Sequence, residues 1–137
     1  MPDRSTLQSF AGAALRMVTG AMFACHGAQK ILGWFHPQRQ PAMWSQQWFG
    51  GPIELVCGIL IAIGLFTRPA ALLASGTMAV AYLQYHWQIQ EPGALAHLKW
   101  VPIVNGGELA VAYCFLFLVF AISGAGAYSF DRRRGRL

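Results

Sequence analysis

Six residues of this chain could do chemistry because each lies in or beside an otherwise apolar stretch: His26, Lys30, Glu54, His86, Asn105 and Glu108. An ionisable group among apolar residues is costly unless paired, so such groups mark a site by default. His26 and Lys30 are four residues apart, on one face of a helix, and Tyr82 and His86 share that spacing. The Lys30 ammonium needs Glu54 or Glu108 as its counter-ion. Two histidines and two glutamates could also hold a metal. No His-x-x-x-His or Glu-x-x-His pair occurs, however, and no metal is expected.

The bland readings of the same residues are specific. Asn105 followed by Glu108 has the spacing of a capping box, and Gly51, Pro52 and Glu54 read as N-cap, N1 and N3 of a helix. Either carboxylate would also gain from the positive end of its helix dipole, and these roles are compatible with a polar pocket. His26 and His86 fit a satisfied core or interfacial histidine as readily as a ligand. Arg16 is expected to lean toward the near surface and snorkel there. Cys25, Cys57 and Cys114 are too scattered for a disulfide framework or zinc site and read as buried small apolar residues.

The elements that must position these residues follow from composition. Of 137 residues, 55% are apolar and 11% charged, where a soluble domain carries about 25% charged residues. Only eight charges fall between Ser5 and Phe130, too few to clothe a water-soluble globule. The chain therefore reads as all-α, an integral membrane four-helix bundle forming one domain over residues 1–137. Helices are expected at about 10–33, 52–67, 69–87 and 105–126, with a basic tail at 131–137. The second is the weakest, because only thirteen uncharged residues separate Glu54 from Arg68. The first is expected to stay as a helix rather than be cleaved as a signal peptide, since Arg16 interrupts it and hydrophobicity continues beyond. Residues 43–49 fit a short helix lying on the membrane surface, and Gly12, Gly20, Gly27, Gly58, Gly64, Gly124 and Gly126 suit close helix approach.

An even number of helices leaves both termini on one side, with Arg4, Arg68 and the C-terminal arginines; Arg39, Glu91 and Lys99 fall in loops on the other. The positive-inside rule places both termini in the cytoplasm. All five tryptophans (Trp34, Trp44, Trp48, Trp87, Trp100) lie in or beside the outer loops, as rings at one interface should. The net charge of +5 gathers in the tail and at segment ends rather than in a groove, so nucleic acid is not an expected partner. The lipid bilayer is.

The run from Gly51 through Glu54 to Arg68 and Ala71, the His26-Gly27 pair with Lys30, the segment Pro102-x-x-Asn105-Gly-Gly-Glu108 and the ending Gly124-Ala-Gly126-Ala-Tyr-Ser-Phe-Asp131 together resemble the DoxX family. The resemblance covers about residues 10–131 and implies a four-helix inner-membrane protein associated with quinol oxidation or quinone-linked electron transfer. Its family-like polar positions are His26, Lys30, Glu54, Arg68, Asn105 and Glu108. The functional expectation is a quinone-linked oxidoreductase component, with quinone or quinol as candidate ligand and a redox partner subunit. No haem, flavin or nucleotide motif occurs in the chain. Two alternatives stay open: a non-enzymatic scaffold subunit in which the cluster is an ion-pair network, and a small-solute pathway, for which four helices leave little lumen without oligomerisation.

Overall fold

The computed structural model describes residues 3–88 and 96–135, and among them every regular element is helical. Glu91 and Arg136, assigned above to an outer loop and to the tail, lie outside the described residues. The first helix, α1, runs Arg4–Leu32. It starts earlier than the apolar pattern because the Asp3 carboxylate accepts the Thr6 N–H at 2.8 Å, and it stops where Gly33 turns left-handed at φ 68°. The second, α2, runs Gln46–Ile63 with Ser45 as its N-cap, so Gly51, Pro52 and Glu54 lie inside a helix instead of opening one. The expected surface helix at 43–49 is absorbed largely into its first turn. The stretch that charge spacing made weakest is thus an 18-residue helix, the one described helix both long and apolar enough to cross a membrane.

A left-handed turn at Gly64 and Phe66 leads directly into α3, Thr67–Gln84. A short helix α4, Pro102–Asn105, precedes α5, Glu108–Ser123, and α6, Phe130–Arg133, closes the described chain. The capping box does not form: Gly107 is the N-cap of α5, and Asn105 ends α4. Helix α5 has 16 residues and is strongly apolar.

Helix α1 packs on α2 and α3 packs on α5, with α2 against α3 joining the pairs. The first contact is backbone on backbone. A Cβ at Gly20 would lie 2.5 Å from Ala62 N, and one at Gly27 or Gly58 would strike the backbone of Leu55 or Ala24. Gly20 facing Ala62 and Gly27 facing Leu55 make the pair antiparallel. Gly12 and Gly126 have open space instead, and Cys25 is exposed on α1 away from this seam. Between the pairs sits the core, built on Phe23, Ile61, Met78, Tyr113 and Phe117. Phe23 meets Phe117 edge-on at 4.8 Å, and Tyr113 stacks on Phe117 at 5.2 Å.

The pole of the molecule near Arg16 is tied by polar groups that no local pattern announces. Arg16 is 1% exposed rather than snorkelling. Its Nη1 donates at 2.7 Å to the carbonyls of both Ile61 and Ala62, and its Nη2 donates to Tyr128 O at 3.0 Å. A guanidinium thus caps the C-terminus of α2, where cations are favoured. At the start of α3 the carboxylate of Asp131, 64 residues away, accepts the Thr67 N–H at 2.9 Å and the Phe66 N–H at 2.8 Å.

The glycine seam yields a sharp contrast. Gly58→Ala forces a Cβ into the α1 backbone and is expected to cost about 1–3 kcal/mol, as overpacking does. Gly12→Ala meets nothing within 4 Å and should be neutral or stabilising by about 0.5–1 kcal/mol through helix propensity. Thermal unfolding of the two purified variants checks this; equal effects would refute the seam.

Candidate functional site

At the opposite pole, four helices surround a cavity of about 370 Å³. Helix α1 contributes Phe23, His26 and Lys30 to its wall, α2 contributes Gln46 and Glu54, and α5 contributes Tyr113. Phe23 and Tyr113 also belong to the core, so aromatic packing forms the floor.

The central polar contact is an ion pair. Lys30 Nζ lies 2.5 Å from Glu54 Oε1, with Glu54 2% and Lys30 27% exposed. Lys30 reaches across because Gly51 presents bare backbone: a Cβ there would stand 3.0 Å from Lys30 Cβ. The counter-ion sought for Lys30 is therefore Glu54 and not Glu108, which is exposed at the first position of α5 and outside the cavity wall. The geometric reason is the reach of α4. It ends at Asn105, and Gly106 and Gly107 then start α5 with Glu108 turned outward.

His26 is half-buried in the wall, with its ring edge-on to Tyr113 at 6.4 Å. His86, also half-buried, lines the cavity and places Nδ1 3.3 Å from the Asn105 carbonyl. Asn105 organises the neighbouring loop instead of facing the cavity. Its Nδ2 donates to Lys99 O and its Oδ1 accepts from Gly107 N, both at 2.8 Å. Tyr82 reinforces that loop by donating to Trp100 O. Across the mouth, Gln46 of α2 donates to Gln84 of α3, a link between the two helix pairs.

Two buried polar atoms of the wall lack a hydrogen-bond partner among the described residues: Glu54 Oε2 and the Tyr113 hydroxyl. Buried polar groups are almost always paired, so each of these is an unfilled demand for a donor or acceptor. Tyr113 is the residue that motif reading passed over. Its signal was one hydroxyl in the uncharged run of α5, five residues beyond Glu108. Among the described residues no group of three His, Cys, Asp or Glu is placed to hold a metal.

Chemically, the arrangement offers a cationic donor, an imidazole, a phenol and a carboxylate with one free oxygen, around a volume within the range of small-molecule sites, about 300–1,000 Å³. It could hold a flat, carbonyl-bearing ring by its oxygens while the aromatic floor supports its face.

Comparison with known proteins gives the chain its relatives. The DoxX family model matches residues 11–87. The chain is 41% identical to an uncharacterized protein of Haemophilus influenzae, with 88% of each chain covered. It is 29% identical to an uncharacterized membrane protein of Mycobacterium tuberculosis, covering 87% of this chain and 78% of that one. Against the inner membrane protein YqjF of Escherichia coli it is also 29% identical, covering 85% and 86%. No solved structure matches the chain.

The ion pair makes the next expectation asymmetric. Lys30→Met leaves the Glu54 carboxylate buried and uncompensated, and should destabilise by about 3 kcal/mol, the lower end for breaking a buried pair because Lys30 keeps some water. Adding Glu54→Gln to that variant should recover much of the loss. A double-mutant cycle by thermal unfolding measures both; a Lys30→Met variant as stable as the parent would remove the ion pair from the account.

Proposed function

The chain belongs to the DoxX family, and from that premise we propose that it is an integral protein of the bacterial inner membrane, a four-helix bundle with both termini cytoplasmic, which binds a quinone or quinol headgroup in its outer cavity. The membrane placement draws on the scarcity of interior charge and on large apolar side chains left exposed along every long helix, such as Phe10, Val56, Leu72 and Phe115. Relatives named as membrane and inner membrane proteins support it.

The observation that carries the ligand reading is the meeting of Lys30, His26, Tyr113 and the free oxygen of Glu54 around one aromatic-floored cavity. In this reading Lys30 and His26 donate to one ring oxygen and the Tyr113 hydroxyl serves the other. Glu54 Oε2 accepts a proton when the ligand is the reduced, hydroxyl-bearing form. The exposed position of Glu108 leaves proton handling to Glu54. The chain binds, orients and moves protons, and the electrons pass to a partner subunit.

Extraction of the protein purified in mild detergent, followed by mass spectrometry, tests the reading. Quinone should co-purify in a ratio near one per chain, and Tyr113→Phe and Glu54→Gln should each reduce it several-fold. Purified parent protein that carries no quinone and takes up none when it is supplied would sink the reading. The Lys30–Glu54 pair would then be structural, in a scaffold subunit.

A further inference from the structure

A second concavity, of about 670 Å³, lies at the other pole, between the beginning of α1, the start of α3 and the segment that leads into and includes α6. Its wall carries two guanidinium groups, Arg68 and Arg132, with the hydroxyl residues Ser9 and Thr67. Neither arginine makes an ion pair with a described residue. The one acid in the wall, Asp131, is committed to the backbone N–H groups of Phe66 and Thr67. Arg68 lies over the bare backbone of Gly124, where a Cβ would stand 3.1 Å from Arg68 Nε, so a glycine at this point seats the guanidinium.

An independent feature points to a ligand. Thr67 is 0% exposed, and its hydroxyl has no hydrogen-bond partner among the described residues. Next in sequence to the lining residues Ser123 and Asp131, Ile122 and Phe130 expose 71% and 48% of their surface. Paired guanidiniums with hydroxyl donors suit phosphate oxygens, and apolar side chains alongside suit acyl chains.

We propose that this concavity binds the phosphate of an anionic phospholipid headgroup in the cytoplasmic leaflet. Binding there would bridge α1, the α2–α3 turn and the C-terminal segment, and so brace the pole that Arg16 and Asp131 already tie. The inference rests on the membrane placement proposed above and is independent of the quinone reading.

Native mass spectrometry and thermal unfolding of the full chain in detergent, with phosphatidylglycerol, phosphatidylcholine or inorganic phosphate added separately, test it. Phosphatidylglycerol should be retained at one per chain and should raise the unfolding temperature. Phosphatidylcholine should be retained at least fivefold less, and inorganic phosphate alone should give no shift. Arg68→Gln, and separately Arg132→Gln, should each lower phosphatidylglycerol retention at least fivefold, with unfolding in lipid-free detergent confirming that both variants fold. Arg134→Gln, which removes a tail charge outside the concavity, should stay within twofold of the parent. Equal losses from Arg134→Gln and Arg68→Gln would overturn the site in favour of diffuse attraction, and a shift from inorganic phosphate equal to that from lipid would overturn the lipid as its source. A parent chain that resists extraction of membranes with alkaline carbonate, yet retains both lipids equally, overturns the lipid site alone; extraction by carbonate overturns the membrane placement itself.

Discussion

Everything at both poles depends on how closely α1 approaches α2. Gly20, Gly27 and Gly58 let two helix backbones meet without side chains between them, a distance that even one methyl group would not permit. That approach carries Arg16 to the last carbonyls of α2 at one pole and brings Lys30 across Gly51 to Glu54 at the other. Wider separation would leave the guanidinium with too long a reach and strand the carboxylate in an apolar wall. The seam is therefore the condition under which two buried charges are tolerated.

The two helix pairs are joined differently at their two ends. Toward the Arg16 pole they are bound by backbone-directed contacts: Arg16 to Tyr128 O, Asp131 to the first N–H groups of α3, and the Asp131 N–H to Gly64 O at 2.8 Å. Toward the cavity they meet through the aromatic floor and through the Gln46–Gln84 hydrogen bond at the rim. One end is thus held by hydrogen bonds to backbone groups and the other by side-chain packing. The unpaired oxygens of Glu54 and Tyr113 belong to residues of the cavity wall, where a ligand's polar atoms would satisfy them.

Much of this arrangement was legible from residue types. The helical segments follow from apolar runs, and Lys30 and Glu54 stood out because charges within such runs need each other. What stayed hidden was whatever depends on contacts distant in sequence. Arg16 looked like a snorkelling side chain because its acceptors are carbonyls 45 and 112 residues away, which no sequence pattern marks. Asp131 caps α3 from the far end of the chain. Glu108 and Asn105 looked like a capping box, but two glycines between them end one helix and begin another, which rotates Glu108 outward. Helix α2 begins earlier than expected because Ser45 caps it and Pro52 is accommodated within the helix, at the cost of one backbone hydrogen bond.

Photoaffinity labelling reads whether the cavity bounded by Lys30, Glu54 and Tyr113 holds a quinone ring. An azidoquinone would be irradiated with the full chain reconstituted in lipid, and the labelled peptides mapped by mass spectrometry. Label is expected on the α1 peptide that contains His26 and on the α5 peptide that contains Tyr113, with unlabelled quinone in excess abolishing both. Label spread over exposed apolar residues such as Leu72 and Phe115, unaffected by competitor, would contradict it.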